Sequence, residues 1–390
     1  MCFEIQAENG TMLGKKYYGL KGFHLNLAIG IIAGMDFLLF GYDQGVMGGL
    51  LTLPVFLNQF PSINDKNPPP GVSASHTSTI QGISVASYNL GCFAGAVATI
   101  WLGDLLGRKR MIITGSAIMV VGATLQCSAF QLGQLVAGRV ITGIGNGMFD
   151  QTPMVLSSLI TSGMNTSTVP TWQSETSKSH RRGQLVMVEG ALITGGIMIS
   201  YWLDFGFSFL APNPVAWRFP IAFQIVFALV ILLVIPGLPE SPRWLVLKGK
   251  EDQALQVLCA LHDKEPEDNY IQSEFSAIKD TVMVMSQGKF SDLFTMGDDR
   301  NFHRVVLAYV NQMFQQISGY VGHVAITALK LKSSPSINLI TYYAATIFQR
   351  IGLDDLLSRL LAAVNGTEYF LASWIAVFTI EKVGRRSLMV

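Results

Sequence analysis

The stretch 30–53, GIIAGMDFLLFGYDQGVMGGLLTL, constrains this chain more than any other. It holds 24 residues of nearly unbroken apolar and small side chains. As a helix rising about 1.5 Å per residue, it is long enough to cross a hydrocarbon core of about 30 Å. Two acids interrupt it, Asp36 and Asp43. Seven positions make about two helical turns, so the pair shares a face. A carboxylate at membrane depth costs about 2.5–3.5 kcal/mol on insertion scales unless it meets a wet or paired interior. One reading places an acid at a helix end, reaching for the headgroups, and it fits Asp36 better than Asp43. The other makes the acids markers of an ion, proton or substrate path, and it points to a chain that moves something across a membrane.

Composition agrees. Half of the 390 residues are hydrophobic, only 14% are charged, and the mean hydropathy is +0.39. A soluble chain carries about a quarter charged residues. The net charge of +1 offers no basic field for nucleic acid. Cys2, Cys92, Cys127 and Cys259 stand singly, without a CxxC pair, so neither a disulfide framework nor a zinc site is expected. The six histidines are isolated from one another, and no constellation for bond-breaking chemistry, metal or cofactor stands out. The first 25 residues lack the short apolar core and cleavage site of a removable signal peptide.

Apolar runs at 27–50, 79–102, 111–129, 131–148, 184–203, 219–236, 302–319 and 360–380 read as membrane helices. Every second loop is basic. Lys15, Lys16 and Lys21 precede the first run, Arg108–Arg110 follow the second, Lys178–Arg182 precede the fifth, and Lys382–Arg386 follow the last. That alternation puts the N-terminus in the cytoplasm. Between 237 and 300 the charge density rises (Lys250–Asp252, Asp263–Asp268, Lys279–Asp280), which suits a helical cytoplasmic linker. The division is then a six-helix transmembrane bundle at 1–236, the linker at 237–300, and part of a second bundle at 301–390. GDLLGRKR at 103–110 and EKVGRRSL at 381–388 repeat an acid–x–x–Gly–Arg–basic pattern after an apolar run, which argues for duplicated units. GIGNGM at 143–148 has no strand before it, so its glycines read as sites of close helix packing, as do Gly91 and Gly95.

These motifs, FGYDQGVMGG (40–49), GDLLGRKR (103–110), GRVITGIG (138–145), SETSKSHRRGQL (174–185), PESPRW (239–244), NQMFQQISG (311–319), INLITYY (337–343) and EKVGRR (381–386), resemble the sugar porter family of the major facilitator superfamily. The likeness is strongest to fungal sugar/polyol:proton symporters, near the yeast glycerol/proton symporter branch on the wording of LVMVEG (185–190) and YWLDFG (201–206). It implies an all-α polytopic membrane protein whose two bundles rock around a site at the bilayer midplane, with no cofactor and no enzymatic step. It implies a plasma-membrane location and a sugar or polyol moving with a proton. By matching positions, Asp43 is the proton-titrating acid and Arg139 its basic partner. Gln315, Gln316 and Asn338 are the amides that hold substrate hydroxyls. Asp104, Arg108, Glu175, Arg182, Glu240, Arg243, Glu381 and Arg385 form a cytoplasmic gate network. Amides suit a polyol because each offers donors and acceptors without charge.

Three departures qualify the resemblance. Glu189-Gly190 stands where many hexose carriers have Asn-Gln, which leaves room for a smaller polyol. Segments 149–164 and 320–336 interrupt family-like sequence inside helices and resume in frame, as retained introns would. They carry Asp150, Pro153, Lys330 and Lys332 to membrane depth. Finally, eight helices are read where the family has twelve, so the expectation is a complete first bundle plus the first two helices of the second. Two other readings stay open: a non-transporting nutrient sensor on the same fold, or an inactive mis-spliced product of a transporter gene.

Overall fold

The computed structural model describes residues 16–65, 67–149, 168–176, 182–286, 302–307, 310 and 337–383. Among the described residues thirteen α-helices are delimited, a further helical stretch covers 302–307, and there is no strand. In chain order they are α1 (Gly22–Leu50), α2 (Pro54–Gln59), α3 (Ala74–Leu106), α4 (Arg108–Cys127), α5 (Leu132–Phe149), α6 (Thr168–Thr176) and α7 (Arg182–Ser208). There follow α8 (Val215–Val234), α9 (Pro242–Leu247), α10 (Glu251–His262), α11 (Asn269–Ser286), α12 (Ile337–Arg350) and α13 (Asp355–Val383). Five stretches, Gly22–Leu50, Arg108–Cys127, Met187–Ser208, Val215–Gly237 and Asp355–Thr379, are long and apolar enough to cross a membrane.

Seven of the eight apolar runs fall on α1, α3, α4, α5, α7, α8 and α13. The helices outrun the runs: α3 has 33 residues, because its hydrogen-bond ladder continues through the polar residues 75–78 and past Asp104. Of the run at 302–319, only 302–307 and 310 are described, and these are helical. Apart from Phe149, the segments 149–164 and 320–336 lie outside the described residues, as do Asp150, Pro153, Lys330 and Lys332.

The bundle is held by close helix pairs. α1 lies along α7, α5 along both α3 and α4, and α8 against α4, α1 and α7. The α3–α5 contact has no room for side chains. A methyl group on Gly91 would sit 2.2 Å from the Val140 carbonyl oxygen, on Gly95 2.2 Å from that of Ile144, and on Gly143 2.3 Å from that of Tyr88. The α1–α7 contact is equally tight: a methyl on Gly41 would sit 1.9 Å from the Ile193 carbonyl oxygen and one on Gly196 2.0 Å from that of Leu38. The glycine spacings read as packing sites are packing sites.

One apolar cluster (Leu25, Ile29, Trp172, Trp244, Leu261) knits the start of α1 to α6, α9 and α10. Another (Leu50, Phe56, Phe60, Trp217, Ile221) closes the opposite end around α2 and α8. α12 and α13 dock on the bundle through α1 and α7, around Ile197, Tyr201, Ala344, Ala345, Ala362 and Ala363. Leu90, Val121, Leu233, Ile375 and Phe378 face outward, as lipid-facing side chains do. The helices α9–α11 fall in the interval 237–300, and α10 packs back on α1, where the Asn26 amide donates to the Leu261 carbonyl at 2.8 Å.

Adding a methyl group where backbone is the neighbour forces the helices apart, and overpacking costs about 1–3 kcal/mol. Gly143→Ala is expected to lower unfolding free energy by about that amount in denaturant titration. Gly82→Ala, with nothing within 4 Å of the new methyl, is the control and should lose nothing. Equal stability of the two variants would refute the packing account.

Candidate functional site

Asp43 is 0% exposed and Arg139 is 0% exposed. Asp36, at the middle of α1, is 3% exposed, so neither acid of the first apolar stretch sits at a helix end. Around Asp43 the structure gathers α1, α3 and α5. The Asn146 amide donates to the Tyr88 hydroxyl at 2.8 Å and reaches Asp43 Oδ2 at 3.5 Å, the outer limit of a hydrogen bond. Asp43 Oδ1 has no partner. Arg139 lies with its guanidinium 5.5 Å from the Tyr88 ring centre and donates Nη2 to the Val85 carbonyl at 3.3 Å. Its Nε and Nη1 are unengaged. Acid and base thus share one buried cluster without a hydrogen bond between them.

Asn146 and Tyr88 are site residues that the sequence reading missed. The signal existed for Asn146: it lies seven positions after Arg139 and so shares its face of α5. Within GIGNGM the glycines carry the visible pattern instead. Tyr342, in the INLITYY motif, sends its hydroxyl across to Asn89 Oδ1 at 3.1 Å, which brings α12 to the same part of α3.

Three of the residues expected in a cytoplasmic network, Arg108, Glu175 and Glu240, meet at the other end. Gly107, at φ +84°, makes the one-residue turn between α3 and α4, a conformation that favours glycine. A helix start leaves N–H groups without partners, and here Glu240 supplies them from 131 residues away. Its carboxylate accepts the Arg108 N–H at 3.0 Å and the Lys109 N–H at 3.2 Å. Lys109 Nζ donates to the carbonyls of Pro236 at 2.5 Å and Leu238 at 3.0 Å. Glu175 on α6 accepts from the Ser241 hydroxyl and stands 3.8 Å from Arg108 Nε. Trp172 Nε1 donates to the Pro239 carbonyl at 3.1 Å. So Arg108, Glu175 and Glu240 do converge, but Glu240 acts on backbone N–H groups rather than on an arginine side chain. Arg243 is half-buried in the first turn of α9.

The remaining expected site residues are not placed. Asp104, Arg182, Asn338 and Glu381 sit on described helices, but their side chains lie outside the description. Gln315, Gln316 and Arg385 lie outside the described residues altogether. Among the described residues, no cluster of metal-ligating side chains occurs.

A bundle of long apolar helices with buried charge at its centre suits a polytopic membrane protein, and comparison gives the family. The family described as Sugar (and other) transporter matches residues 29–390, and the chain belongs to it. It is a multi-pass membrane protein, and its relatives are transporters and not enzymes. The sugar transporter STL1 of Saccharomyces cerevisiae is 38% identical over 95% of this chain and 60% of its own length. The major facilitator superfamily transporter mfsA of Aspergillus fumigatus is 37% identical over 95% of this chain and 63% of its own. The chain therefore spans about three-fifths of these relatives. Among solved structures, the proton:xylose symporter XylE bound to 6-bromo-6-deoxy-D-glucose superposes with a TM-score of 0.70 at 22% identity, over 93% of this chain and 70% of XylE, a likeness of fold.

Burial pushes the Glu240 carboxyl above its ordinary range, against the pull of the Ser241, Lys109 and Arg108 contacts. The folded chain then binds this proton more tightly than the unfolded one. The stability contributed by Glu240 is therefore full at low pH and declines as pH rises through the carboxylate range. Glu240→Gln removes the titration, so its unfolding temperature should fall less steeply than the parent's from about pH 4 to about pH 7. Parallel curves would refute this.

Proposed function

We propose that the complete protein is a secondary active transporter carrying a sugar or small polyol by proton symport through alternating access. The observation that carries this is Asp43: wholly buried on α1, with one open carboxylate oxygen, in a cluster with an equally buried Arg139 that has unused donors. Such a pair has two stable arrangements. Either Asp43 holds a proton, or it is ionised and draws in Arg139, and switching between them couples proton uptake to a change of shape. Belonging to a family of sugar transporters supports the substrate class, and the fold shared with the proton:xylose symporter XylE supports the coupling. Glu189-Gly190 favours a glycerol-like polyol over a hexose. On this reading the first bundle occupies 1–236, the linker 237–300, and the start of a second bundle 301–390, with the N-terminus in the cytoplasm and the protein in the plasma membrane. Gln315, Gln316 and Asn338 hold substrate hydroxyls. Asp104, Arg108, Glu175, Arg182, Glu240, Arg243, Glu381 and Arg385 bias which side is open. Segments 149–164 and 320–336 are retained introns, so the form to assay is uninterrupted and as long as its relatives.

In that form, Asp43→Asn is expected to abolish accumulation against a gradient while leaving substrate exchange measurable. An Asn variant that still concentrates substrate, with the medium still losing protons, would show that coupling lies elsewhere.

Losing one buried hydrogen-bond partner costs about 1–3 kcal/mol. Single Ala variants of Gln315, Gln316 and Asn338 should therefore weaken apparent affinity about fivefold to a hundredfold. Glycerol should compete better than glucose. Unchanged affinity in all three variants would remove these amides from the site, and better competition by glucose would return the hexose.

A further inference from the structure

A second acid is sealed in the bundle away from Asp43. Asp204, near the end of α7, is 2% exposed, and its carboxyl oxygens have no side-chain hydrogen-bond partner. The group lies against the backbone of α1 at Gly49, where a methyl would come within 2.4 Å of Oδ2. Arg359, half-buried in the first turns of α13, reaches the same end of α1 against which Asp204 packs. Arg359 is engaged elsewhere: its Nε donates to Thr52 Oγ1 at 2.9 Å and its Nη2 to the Thr52 carbonyl at 2.8 Å. Thr52 follows the last turn of α1 and donates its own hydroxyl to the Gly49 carbonyl at 2.7 Å. The charged and titratable groups around the pair are Asp354 and Asp355 beside Arg359, and Tyr42 from α1 and Tyr201 from α7 beside Asp204. This cluster sits where α1 and α7 end, opposite Lys21 and Arg182 at their starts.

We propose that Asp204 is a second proton-binding site, whose proton decides whether Arg359 ties α13 to the end of α1 or to α7. With the proton on, Asp204 is a neutral group, and the guanidinium takes the hydroxyl and carbonyl of Thr52, as the structure has it. With the proton off, the buried carboxylate is the stronger acceptor, because hydrogen bonds between charged partners are roughly twice as strong as neutral ones. Arg359 then leaves Thr52, and the end of α1 parts from α13. Nothing in this step involves Asp43, so the site acts as a gate at one end of the bundle rather than as the central coupling acid.

Ser358, next to Arg359 and 0% exposed, reports the parting. The test uses the full-length protein in a cysteine-free background carrying Ser358→Cys, in sealed vesicles. A membrane-impermeant maleimide is supplied to the Arg359 side, and its rate is normalised at each pH to the detergent-denatured protein. The normalised rate should rise by at least about threefold from about pH 5 to about pH 8 as the bound population shifts. Asp204→Asn should hold it at the low value throughout, Asp204→Glu should keep the rise, and Asp43→Asn should keep it too. Arg359→Gln, which removes the tie to Thr52, should give the high rate at every pH and serves if Asp204→Asn does not elute as a folded species. A pH rise that survives Asp204→Asn, one that disappears with Asp43→Asn, or a low rate in Arg359→Gln would each overturn the proposal.

Discussion

A charge sealed in an apolar bundle has to be answered by its immediate neighbours, because no water reaches it and the penalty for an unanswered ion is several kcal/mol. In this protein the requirement falls on Asp43, and the packing around it follows. The answering groups, Tyr88, Asn146 and Arg139, stand on two other helices. They come within reach only because α3 and α5 touch backbone to backbone at Gly91, Gly95 and Gly143. Larger residues there would widen the gap between Tyr88 and Asn146 and admit solvent. Glycine packing and the polar cluster are therefore one arrangement: the first sets the separation that the second needs.

The opposite end of the bundle solves a different electrostatic problem by similar means. Gly107 turns the chain so abruptly that α4 begins without a residue of its own to satisfy its first N–H groups. Glu240 arrives from after α8 to accept them, and Glu175, Ser241 and Trp172 hold that segment in place. A helix N-terminus favours a negative charge, so these N–H contacts offset part of the cost of burying the Glu240 carboxylate. It also ties the turn between α3 and α4 to the segment that follows α8.

Much of this was legible in the chain. Long apolar runs found seven helices because a membrane span is a composition before it is a fold. Asp43 stood out because an acid in such a run is costly anywhere. Asn146 was hidden because an amide inside a glycine motif carries no such cost signal, and its role depends on Tyr88 from another helix. Glu240 was legible as a member of a charge cluster but not as a helix cap, since that role depends on two segments 131 positions apart meeting. Asp204 carries no mark of its burial in the sequence around it. Its burial comes from α1 and α13, contacts that no local pattern encodes.

The tight line of contact between α1 and α7 sets where this molecule can give way. Backbones in direct touch at Gly41 and Gly196 leave no side chain to swing aside, so the two helices form a single girder. Where α7 meets α13, the contact is made instead by alanines and by hydroxyls that can exchange partners: Thr194 with Ser373 at 3.2 Å, and Trp202 Nε1 with Thr367 Oγ1 at 2.9 Å. Shear along that line breaks a few hydrogen bonds that water can replace, whereas shear along the girder would drive methylene groups into carbonyl oxygens. The fault line of the protein therefore runs beside α7, with α1 on the fixed side.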